Sequence, residues 1–186
     1  AIDTQGPTVT SITPTGSIGS DVIQIDVDYD DANGLWPATV TNAENYTLVA
    51  AGVDGVLGTG DDVDVSDRIG SIGYIAGTKT AIIPLSPELG EETYRLTILG
   101  ATTVQDAAGN ALNDGADEVH EFEVLYPVVT IDLQAGSDSG ESSTDDLTND
   151  TTPTFDVTVD KAGTIDVDWE DDGSVDETLV VGGAGT

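Results

Sequence analysis

Aspartates gather with glycines in the turns of this sequence, and the most informative such cluster spans residues 53–64 (VDGVLGTGDDVD). Glycine lets the backbone turn sharply, so that carboxylate and carbonyl oxygens can converge on one point. Calcium needs that convergence because it takes about 6 to 8 oxygen ligands at about 2.3–2.6 Å, whereas magnesium demands a stricter octahedron. The loop is therefore either a calcium site or a solvated acidic hairpin tip. Its carboxylates are Asp54, Asp61, Asp62 and Asp64.

A second acidic cluster, residues 168–176 (DWEDDGSVD), has part of the spacing of a helix-loop-helix calcium hand. The candidate ligands at positions one, three, five and nine are Asp168, Glu170, Asp172 and Asp176. The twelfth position is Leu179, where such a hand needs a bidentate Glu, and no flanking helix is predicted. The cluster is thus either a calcium loop on a β-hairpin or an acidic turn exposed to water.

Two further clusters and one strand end complete the candidate metal ligands. Residues 138–150 contribute Asp138, Asp145, Asp146, Asn149 and Asp150, and residues 106–117 contribute Asp106, Asn110, Asp114 and Asp117. Asp30 and Asp31 follow a predicted strand at one pole of the domain, where we expect them to join Asp3 near a domain junction. Asp26 and Asp28 lie on the outward face of that strand and are expected only to be solvated.

The charge balance excludes several classes of partner. The chain has 186 residues, with 36 acidic and 4 basic side chains, and a formal net charge of −32. Four basic residues cannot form a phosphate-neutralising surface, so binding to nucleic acid is excluded, and so is attraction to anionic lipid. No apolar run approaches the roughly 20 residues that span a bilayer, which excludes direct membrane insertion by a helix.

The chain has no cysteine, which removes disulfides, thiol nucleophiles and zinc-thiolate sites together. A small extracellular β-protein usually needs a staple to offset its chain entropy. The staple that this composition offers is a divalent cation bound by Asp. The sequence begins with Ala1 and shows no apolar signal segment, so we interpret it as a mature or excised fragment of a longer protein.

The elements that must position these carboxylates are strands. Thr, Val and Ile supply 58 residues, which favours pleated, half-buried strands, and no window sustains a 3.6-residue period. Seven strands predict an all-β, antiparallel immunoglobulin-like β-sandwich. Tyr94, at the start of the sixth strand, is expected to be either a tyrosine corner or an ordinary cross-strand aromatic. The predicted strands are residues 7–14, 21–29, 45–50, 68–76, 80–85, 93–99 and 118–125.

Pro127 marks a boundary between two domains, residues 1–126 and residues 127–186. The second unit has four predicted strands, which make barely half a sandwich and would leave one apolar face uncovered. We therefore expect an incomplete immunoglobulin-like unit that is completed by further chain or by a partner. Trp169 is expected to be a core residue of this unit. The four strands are residues 128–133, 154–160, 164–169 and 177–181.

Several segments resemble known sequences. Residues 3–14 (DTQGPTVTSITP), 45–62 (NYTLVAAGVDGVLGTGDD) and 94–112 (YRLTILGATTVQDAAGNAL) are similar to the bacterial immunoglobulin-like domains of large secreted surface proteins. Residues 137–155 (SDSGESSTDDLTNDTTPTF) resemble the start of another such repeat, found in giant calcium-dependent adhesins and biofilm proteins.

This resemblance implies a role for calcium at the junctions between domains, where it stiffens tandem arrays. It also implies that the ligands of a junction come from both neighbouring domains. The residues to which it assigns candidate roles are Asp3, Asp138, Asp146 and Asp150.

Few residues favour catalysis. The single histidine, His120, alternates with apolar residues in a predicted strand, as structural histidines do, and no nucleophile elbow, phosphate loop or zinc signature occurs. A carboxylate pair could hydrolyse a glycoside, but so acidic a chain is expected to contain such pairs by chance. Trp36 is either a sugar-stacking aromatic or a loop anchor packed on the edge of the sandwich.

The sequence thus predicts a non-enzymatic, extracellular or cell-surface module that binds calcium. We expect a spacer in a repeat protein of the adhesin type, with neighbouring immunoglobulin-like repeats of the same chain as partners. A surface glycan or protein would be bound through another domain. The alternative is a carbohydrate-binding or accessory module of a secreted polysaccharide-degrading enzyme, which would use Trp36 and the loop carboxylates.

Overall fold

The protein is described by a computed structural model, in which residues 3–101, 103–142, 145–161, 163–169 and 171–181 are described. The chain forms two compact units, Ala1–Tyr126 and Pro127–Thr186. Each unit consists mainly of short antiparallel strands, which confirms the predicted all-β, immunoglobulin-like class.

Nine strands of the first unit form two sheets. One sheet has the order β1-β3-β7-β6 and the other the order β2-β9-β8-β4-β5. The inner faces of the two sheets enclose one apolar core, which is the arrangement of a β-sandwich. The strands are β1 Thr8–Thr13, β2 Gly16–Ile18, β3 Val22–Asp30, β4 Tyr46–Ala50, β5 Val63–Asp64, β6 Gly73–Ile75, β7 Thr80–Leu89, β8 Glu92–Ile98 and β9 Glu118–Val124.

The N-terminal strand is divided between the two sheets. β1 pairs antiparallel with β3, and β2 pairs parallel with β9. At the crossing, Nε2 of His120 lies 2.7 Å from the carbonyl oxygen of Pro14. Because a carbonyl only accepts, Nε2 carries the hydrogen and donates it. The single histidine of the chain therefore ties the crossing segment to β9.

The alternation of β3 places Ile25, Val27 and Tyr29 in the core, with at most 3% of each exposed. Strict alternation would place Ile23 on this face as well, but Ile23 is 69% exposed and Val22 is buried instead. The register between β3 and β7 shifts between Val22 and Gln24, and this irregularity interrupts the alternation of side chains.

β8 contributes buried Tyr94, Leu96 and Ile98 to the core. The hydroxyl of Tyr94 donates to the carbonyl of Gly90, four residues earlier, at 3.1 Å. Of the two alternatives for this residue, the tyrosine corner is therefore the one that the structure has. Its ring also stacks on Phe122 of β9, with ring centroids 5.6 Å apart.

Helical structure is confined to short connections. One α-helical turn, α1, spans Pro37–Val40, and 3-10 turns span Ala43–Asn45, Ser66–Arg68 and Leu112–Gly115. The strand expected over residues 68–76 is shorter than predicted, because a 3-10 turn occupies its start and only β6 remains of it. Among the described residues, no helix is long and apolar enough to cross a membrane.

The second unit contains two separate two-stranded sheets, β10–β11 and β12–β13. In its described part, the buried apolar side chains are Leu133 and Val159. Trp169 was expected in the core, but it is 60% exposed and only its neighbour Phe155, at a centroid distance of 6.3 Å, partners its ring. Two paired strands cannot enclose so large a side chain. The strands are β10 Val129–Leu133, β11 Phe155–Val159, β12 Gly163–Val167 and β13 Glu177–Val181.

Candidate metal centre

Three carboxylates of the first unit meet at one pole of the sandwich. Asp3 precedes β1, Asp31 follows β3, and Asp106 lies in the connection from β8 to β9. One oxygen of each lies within 4.8 Å of the others. Because β1 and β3 run antiparallel with Thr8 opposite Asp30, the start of β1 and the end of β3 share this pole. We call these three residues the polar triad.

Asp106 is fully buried and is held by its own loop. Its carboxylate accepts hydrogen bonds from the backbone N–H groups of Ala108 at 2.8 Å and Asn110 at 2.7 Å, and from Nδ2 of Asn110 at 2.6 Å. Burial is the largest influence on the pKa of Asp106 and raises it, but these hydrogen bonds together outweigh burial and leave the pKa below its ordinary value. Asp106 is therefore a buried anion.

Asp31 is 7% exposed, and its Oδ1 accepts a hydrogen bond from the N–H of Asn33 at 2.8 Å. The side chain of Asn33 in turn donates to Oδ2 of Asp3 at 2.5 Å. Asn33 thus joins two members of the triad. The other oxygen of Asp3, Oδ1, accepts a hydrogen bond from the N–H of Gln5 at 3.2 Å.

The segment that carries Asp3 is docked on the loop that carries Asp106. Nδ2 of Asn110 donates to the carbonyl of Gln5 at 3.2 Å, and the N–H of Asn113 donates to the carbonyl of Pro7 at 2.9 Å. Gly6 packs so closely on Ala111 that an added Cβ would lie 1.8 Å from the carbonyl oxygen of Ala111. The entering chain is therefore positioned against the triad before any ion is considered.

The basic side chains form their ion pairs with carboxylates outside the triad, although Lys79 also interacts electrostatically with Asp31. Lys79, Arg95 and Lys161 form ion pairs with Asp30, Glu121 and Asp160, and Arg68 donates to the carbonyl of Glu88. Three carboxylates within 4.8 Å, two of them buried, therefore repel one another in a low-dielectric environment. A divalent cation bound by the three carboxylates would relieve this repulsion, so the triad could hold a metal ion.

Asp30 was grouped with Asp3 and Asp31 from the sequence, but the structure does not bring it into the triad. Its side chain is 70% exposed and lies 2.8 Å from Nζ of Lys79, whose hydrogen bond holds the pKa of Asp30 below its ordinary value. Strand alternation explains the separation, because consecutive residues at the end of β3 point to opposite faces.

The loop of residues 53–64 places its carboxylates differently from the expected convergence. Asp61 accepts from the N–H of Asp54 at 3.1 Å, and Asp62 accepts from the N–H of Gly58 at 2.8 Å. Asp54 and Asp64 likewise accept from the N–H groups of Val56 and Ser66, two residues on in each case. The backbone of the loop thus supplies donors to all four carboxylates.

The other three candidate ligands of the 106–117 cluster are not members of the triad. Asn110 supports Asp106 directly, as described above. Asp114 lies in the 3-10 turn Leu112–Gly115 with a left-handed φ of 54°. Asp117 accepts a hydrogen bond from the N–H of Gly100 at 2.8 Å. Of the 106–117 cluster, the structure brings Asp106 alone into the triad.

In the second unit, Asp138 is 8% exposed, whereas Asp146 and Asp150 are exposed. Asp146 has a left-handed φ of 56°, and Asp150 accepts from the N–H of Thr152 at 3.0 Å. Nothing in the structure groups these three carboxylates as closely as the triad, within the residues described.

Two carboxylates of the 168–176 loop accept hydrogen bonds from backbone N–H groups of the same loop. Asp168 accepts from the N–H groups of Asp172 at 3.2 Å and Gly173 at 2.8 Å, and Asp176 accepts from the N–H of Trp169 at 2.8 Å. Glu170 lies outside the described residues. The loop has the form of a tight turn capped by Asp168.

Sequence reasoning placed Asp106 and Asp3 in different clusters, and it missed Asn33 and Gln5 as supports. The carboxylates of the two clusters are brought together by the β-bridge between Leu35 and Asp106, which joins the connections that follow β3 and β8. The signal available in the sequence was the pair Asn33-Gly34 directly after an acidic strand end, since such a pair indicates a turn that returns the chain.

Trp36 directly follows Leu35, the residue that pairs with Asp106 of the triad in a β-bridge. Its N–H donates to the carbonyl of Gln105 at 2.9 Å, and its side chain is 51% exposed. The ring lines a shallow cleft of about 330 Å³. The residues around the cleft are Leu35, Trp36, Pro37, Ala107, Ala108 and Gly109.

Comparison with known proteins identifies the second unit. Residues 125–186, one third of the chain, match the model of a bacterial Ig-like domain family. This match confirms the resemblance to bacterial immunoglobulin-like domains over that part of the chain. No curated protein matches the sequence.

Solved structures resemble the chain weakly. Domains 1–6 of the surface layer protein SbsC align with 68% of this chain and 15% of their own, at 19% identity and a TM-score of 0.43. A second crystal structure of that S-layer protein gives the same values. PcoC, a methionine-rich copper resistance protein from Escherichia coli, aligns with 65% of this chain over its full length, at 15% identity and a TM-score of 0.42. The chain therefore spans a small part of the surface-layer structures, and these likenesses carry no argument about function.

Proposed function

We propose that this chain is a calcium-binding structural module of a large extracellular or cell-surface protein, in which it acts as a non-catalytic spacer. The observation that carries the proposal is the polar triad, in which the buried carboxylates Asp31 and Asp106 meet Asp3 of the entering chain. The match of residues 125–186 to a bacterial Ig-like domain supports the spacer role, since the chain would then carry two such units in series.

The proposed mechanism is electrostatic. Without a cation, repulsion within the triad weakens the docking of Asp3 and its segment on the two loops. Bound calcium holds together the entering segment, the end of β3 and the β8–β9 connection. A force applied along the chain is then distributed over these three segments. Neighbouring immunoglobulin-like repeats of the same protein are the partners that this role requires.

The affinity of extracellular calcium-binding modules is sufficient to stabilise the folded state measurably. Extracellular modules bind calcium with dissociation constants of about 10⁻⁴–10⁻³ M. At ten times the dissociation constant, one site stabilises the folded state by about 1.4 kcal/mol. That is a substantial share of a typical total stability of about 5–15 kcal/mol. An adhesive role for the whole protein would lie in another domain.

Terbium luminescence tests the site, because Tb³⁺ replaces calcium and is excited through a nearby indole. Trp36 adjoins the triad through the Leu35–Asp106 bridge, whereas Trp169 lies in the 168–176 loop of the other unit. We expect Trp36→Phe to remove the greater part of the calcium-displaceable signal, and Asp31→Asn to do the same while leaving Trp36 intact. Trp169→Phe is the matched control. A signal that survives both Trp36→Phe and Asp31→Asn would refute the triad as the site.

A second candidate function rests on the exposed ring of Trp36 and its cleft. An aromatic face beside an apolar shelf can stack against one face of a sugar ring, as a carbohydrate-binding module requires. A net charge of −32 favours an uncharged sugar over an anionic one. A glycan array probed with wild type and Trp36→Ala separates the two functions. If wild type binds a glycan and Trp36→Ala does not, the carbohydrate-binding function is supported. If wild type binds no glycan on the array, the spacer function is supported.

A further inference from the structure

Asn33 is followed directly by Gly34, and the two form the only Asn-Gly pair in the sequence. The backbone nitrogen that follows an asparagine can attack the carbon of the side-chain amide and close a succinimide ring. Every residue type except glycine hinders this attack with its Cβ, so an asparagine before glycine is the most open to it. The pair is therefore a place where the chain can modify itself without an enzyme.

The structure leaves the attacking nitrogen accessible. The side chain of Asn33 is exposed. The carbonyl of Gly34 accepts a hydrogen bond from the N–H of Ala107 at 3.0 Å, but the N–H of Gly34 donates to no partner within the described part of the chain. Gly34 has a left-handed φ of 83°, and apart from its chain neighbours no atom lies within 4 Å of the place where a Cβ would be. Neither a hydrogen bond nor a packed neighbour therefore keeps this nitrogen from the side chain of Asn33.

The other asparagines are placed less favourably, because each of them precedes a residue with a Cβ. Asn45 is only 6% exposed, and its Nδ2 donates to the carbonyl of Thr39 at 2.7 Å. Nδ2 of Asn110 donates both to Gln5 and to Asp106, as described above. Asn33 is thus expected to react first. The asparagines compared with it are Asn42, Asn45, Asn110, Asn113 and Asn149.

The reaction needs only water as its co-reactant. The nitrogen of Gly34 loses its proton to solvent hydroxide and forms a bond to Cγ of Asn33, and the bond from Cγ to Nδ2 breaks as ammonia leaves with a proton from water. Water then opens the ring on either side of the Gly34 nitrogen. Release of Cγ gives aspartate, whereas release of the main-chain carbonyl carbon gives isoaspartate, whose backbone runs through Cβ and Cγ. In sum, an amide and water become a carboxylate and ammonium, and nothing is oxidised or reduced.

The product changes the pole of the sandwich, because Asn33 acts there as a hydrogen-bond donor. Its Nδ2 donates to Oδ2 of Asp3 at 2.5 Å. A carboxylate at position 33 has no hydrogen to donate, so two negatively charged acceptors face each other where a hydrogen bond had been. A fourth carboxylate then adjoins the three of the polar triad. The docking of the entering segment loses a bond and gains a repulsion.

The same hydrogen bond controls the rate of the reaction. An amide that donates to a carboxylate is held in one orientation, and the negative charge makes its carbon less electrophilic. Asp3 belongs to the segment that is docked through Gln5 and Pro7 on the loop after β8. The docked segment therefore slows the modification of Asn33, and the modification in turn weakens the docking.

We propose that Asn33 is a self-modification site, which Asp3 protects and whose deamidation loosens residues 3–7 from the sandwich. The reaction consumes only water, so it does not depend on the calcium proposed for the triad. Because the lost ammonia is not regained, the modified fraction rises with the time that a molecule has spent folded.

Peptide mapping by mass spectrometry tests the proposal, after the full folded chain has been incubated in chelator at neutral and at mildly alkaline pH. We expect Asn33 to deamidate about tenfold faster than any of the other five asparagines, and faster at the higher pH because the nitrogen must lose its proton. Gly34→Ala should slow the reaction about tenfold, because the Cβ hinders the attack. Asp3→Ala should speed it severalfold. The matched control is Asp132→Ala, which removes an exposed carboxylate from β10 of the other unit and should react as wild type does.

Asn33→Asp reproduces the aspartate product in every molecule. The N–H of Asn113 donates to Pro7 of the docked segment, so hydrogen exchange in peptides covering residues 110–116 reports on the docking. In chelator we expect these peptides to exchange severalfold faster in Asn33→Asp than in wild type.

Three results would overturn the proposal. They are a rate at Asn33 no higher than at the other asparagines, an unchanged rate in Asp3→Ala, and equal exchange of residues 110–116 in Asn33→Asp and wild type. Should Gly34→Ala fail to fold, the comparison of Asn33 with the other asparagines of wild type still decides.

Discussion

The carboxylates of Asp31 and Asp106 approach each other within 4.8 Å although they follow strands of opposite sheets. Both are buried, and Asp106 is held as an anion by three hydrogen bonds from its own loop. A sandwich that places two buried negative charges face to face is destabilised at that pole unless a cation lies between them. If the triad binds an ion as proposed, the stability of the first unit depends on that ion.

Asp31→Asn should show separately how repulsion within the triad and the binding of calcium affect the stability of the first unit. The amide keeps the acceptor oxygen that the N–H of Asn33 uses, but it removes one of the facing charges. In chelator we therefore expect the variant to melt higher than wild type, and in calcium we expect it to lose the wild-type gain, which at about 1.4 kcal/mol corresponds to a few degrees. Calorimetry of both proteins in both conditions measures this.

The matched control for that experiment is Glu88→Gln, which removes an exposed charge of β7 away from the triad. It should leave the calcium-dependent difference in melting temperature at its wild-type size. If wild type itself melts at one temperature in chelator and in calcium, the electrostatic mechanism is wrong.

Acid should weaken the first sheet through Asp28. Thr80 and then Ser11 donate to its carboxylate, at 2.6 and 2.7 Å, and hold its pKa below the ordinary value. Because the folded-state pKa is the lower one, this stabilisation is complete above the unfolded pKa of about 3.9 and is lost as the pH falls through the folded pKa. Urea unfolding at a series of pH values below 5 should therefore show a shallower loss for Asp28→Asn than for wild type.

Asp26→Asn is the control for this pH series, since Asp26 lies two residues earlier on the same strand. Its profile should follow that of wild type. Parallel profiles for wild type and Asp28→Asn would show that the hydrogen bonds of Thr80 and Ser11 do not link stability to pH.

Two tyrosine hydroxyls should differ in their contribution to stability. The hydroxyl of Tyr46 donates to the carbonyl of Val40 at 2.8 Å and lies 3.1 Å from the hydroxyl of Tyr29, all of it buried, and burial raises the pKa of Tyr46 to about 12. Tyr46→Phe leaves both partners unsatisfied and should cost about 2–3 kcal/mol. Tyr94→Phe removes one hydrogen bond to the more accessible Gly90 and should cost about 1 kcal/mol.

Chemical unfolding of these two variants and of Tyr29→Phe/Tyr46→Phe measures the difference. In the double variant, the hydroxyl that Tyr46→Phe leaves without a partner is gone, so the double loss should be smaller than the sum of the single losses. Equal losses for Tyr46→Phe and Tyr94→Phe would contradict the assignment of the buried pair.

Glycine is required at position 52 and is merely favourable at position 55. Both residues have left-handed φ, 75° and 68°, but a Cβ at Gly52 would lie 2.3 Å from the carbonyl oxygen of Asp61, whereas open space surrounds Gly55. Gly55→Ala should cost about 1–2 kcal/mol for its backbone conformation alone. Gly52→Ala should cost clearly more, because the backbone of the 53–64 loop must move. Thermal unfolding of the two variants compares them, and equal losses would show that the loop yields freely.

Local patterns in the sequence determined the class of fold. Alternating Val, Ile and Thr residues between turn-forming residues predicted most of the strands of the first sandwich, and the position of Tyr94 allowed for its corner. These features depend on neighbours in the chain, and strand periodicity is a local property. The same reasoning failed at Ile23, because a shifted register in one strand leaves no mark in composition.

The grouping of carboxylates was decided by the tertiary structure. The sequence supplied an excess of Asp and could say only which turns were acidic, whereas the stacking of two sheets brought Asp31 to Asp106, and the docking of residues 5–7 brought Asp3 to both. The 53–64 loop, which is acidic and contains three glycines, directs its carboxylates to its own N–H groups. The polar triad needs oxygens from three separate segments to converge, and that convergence depends on how the segments pack, which their positions along the chain do not specify.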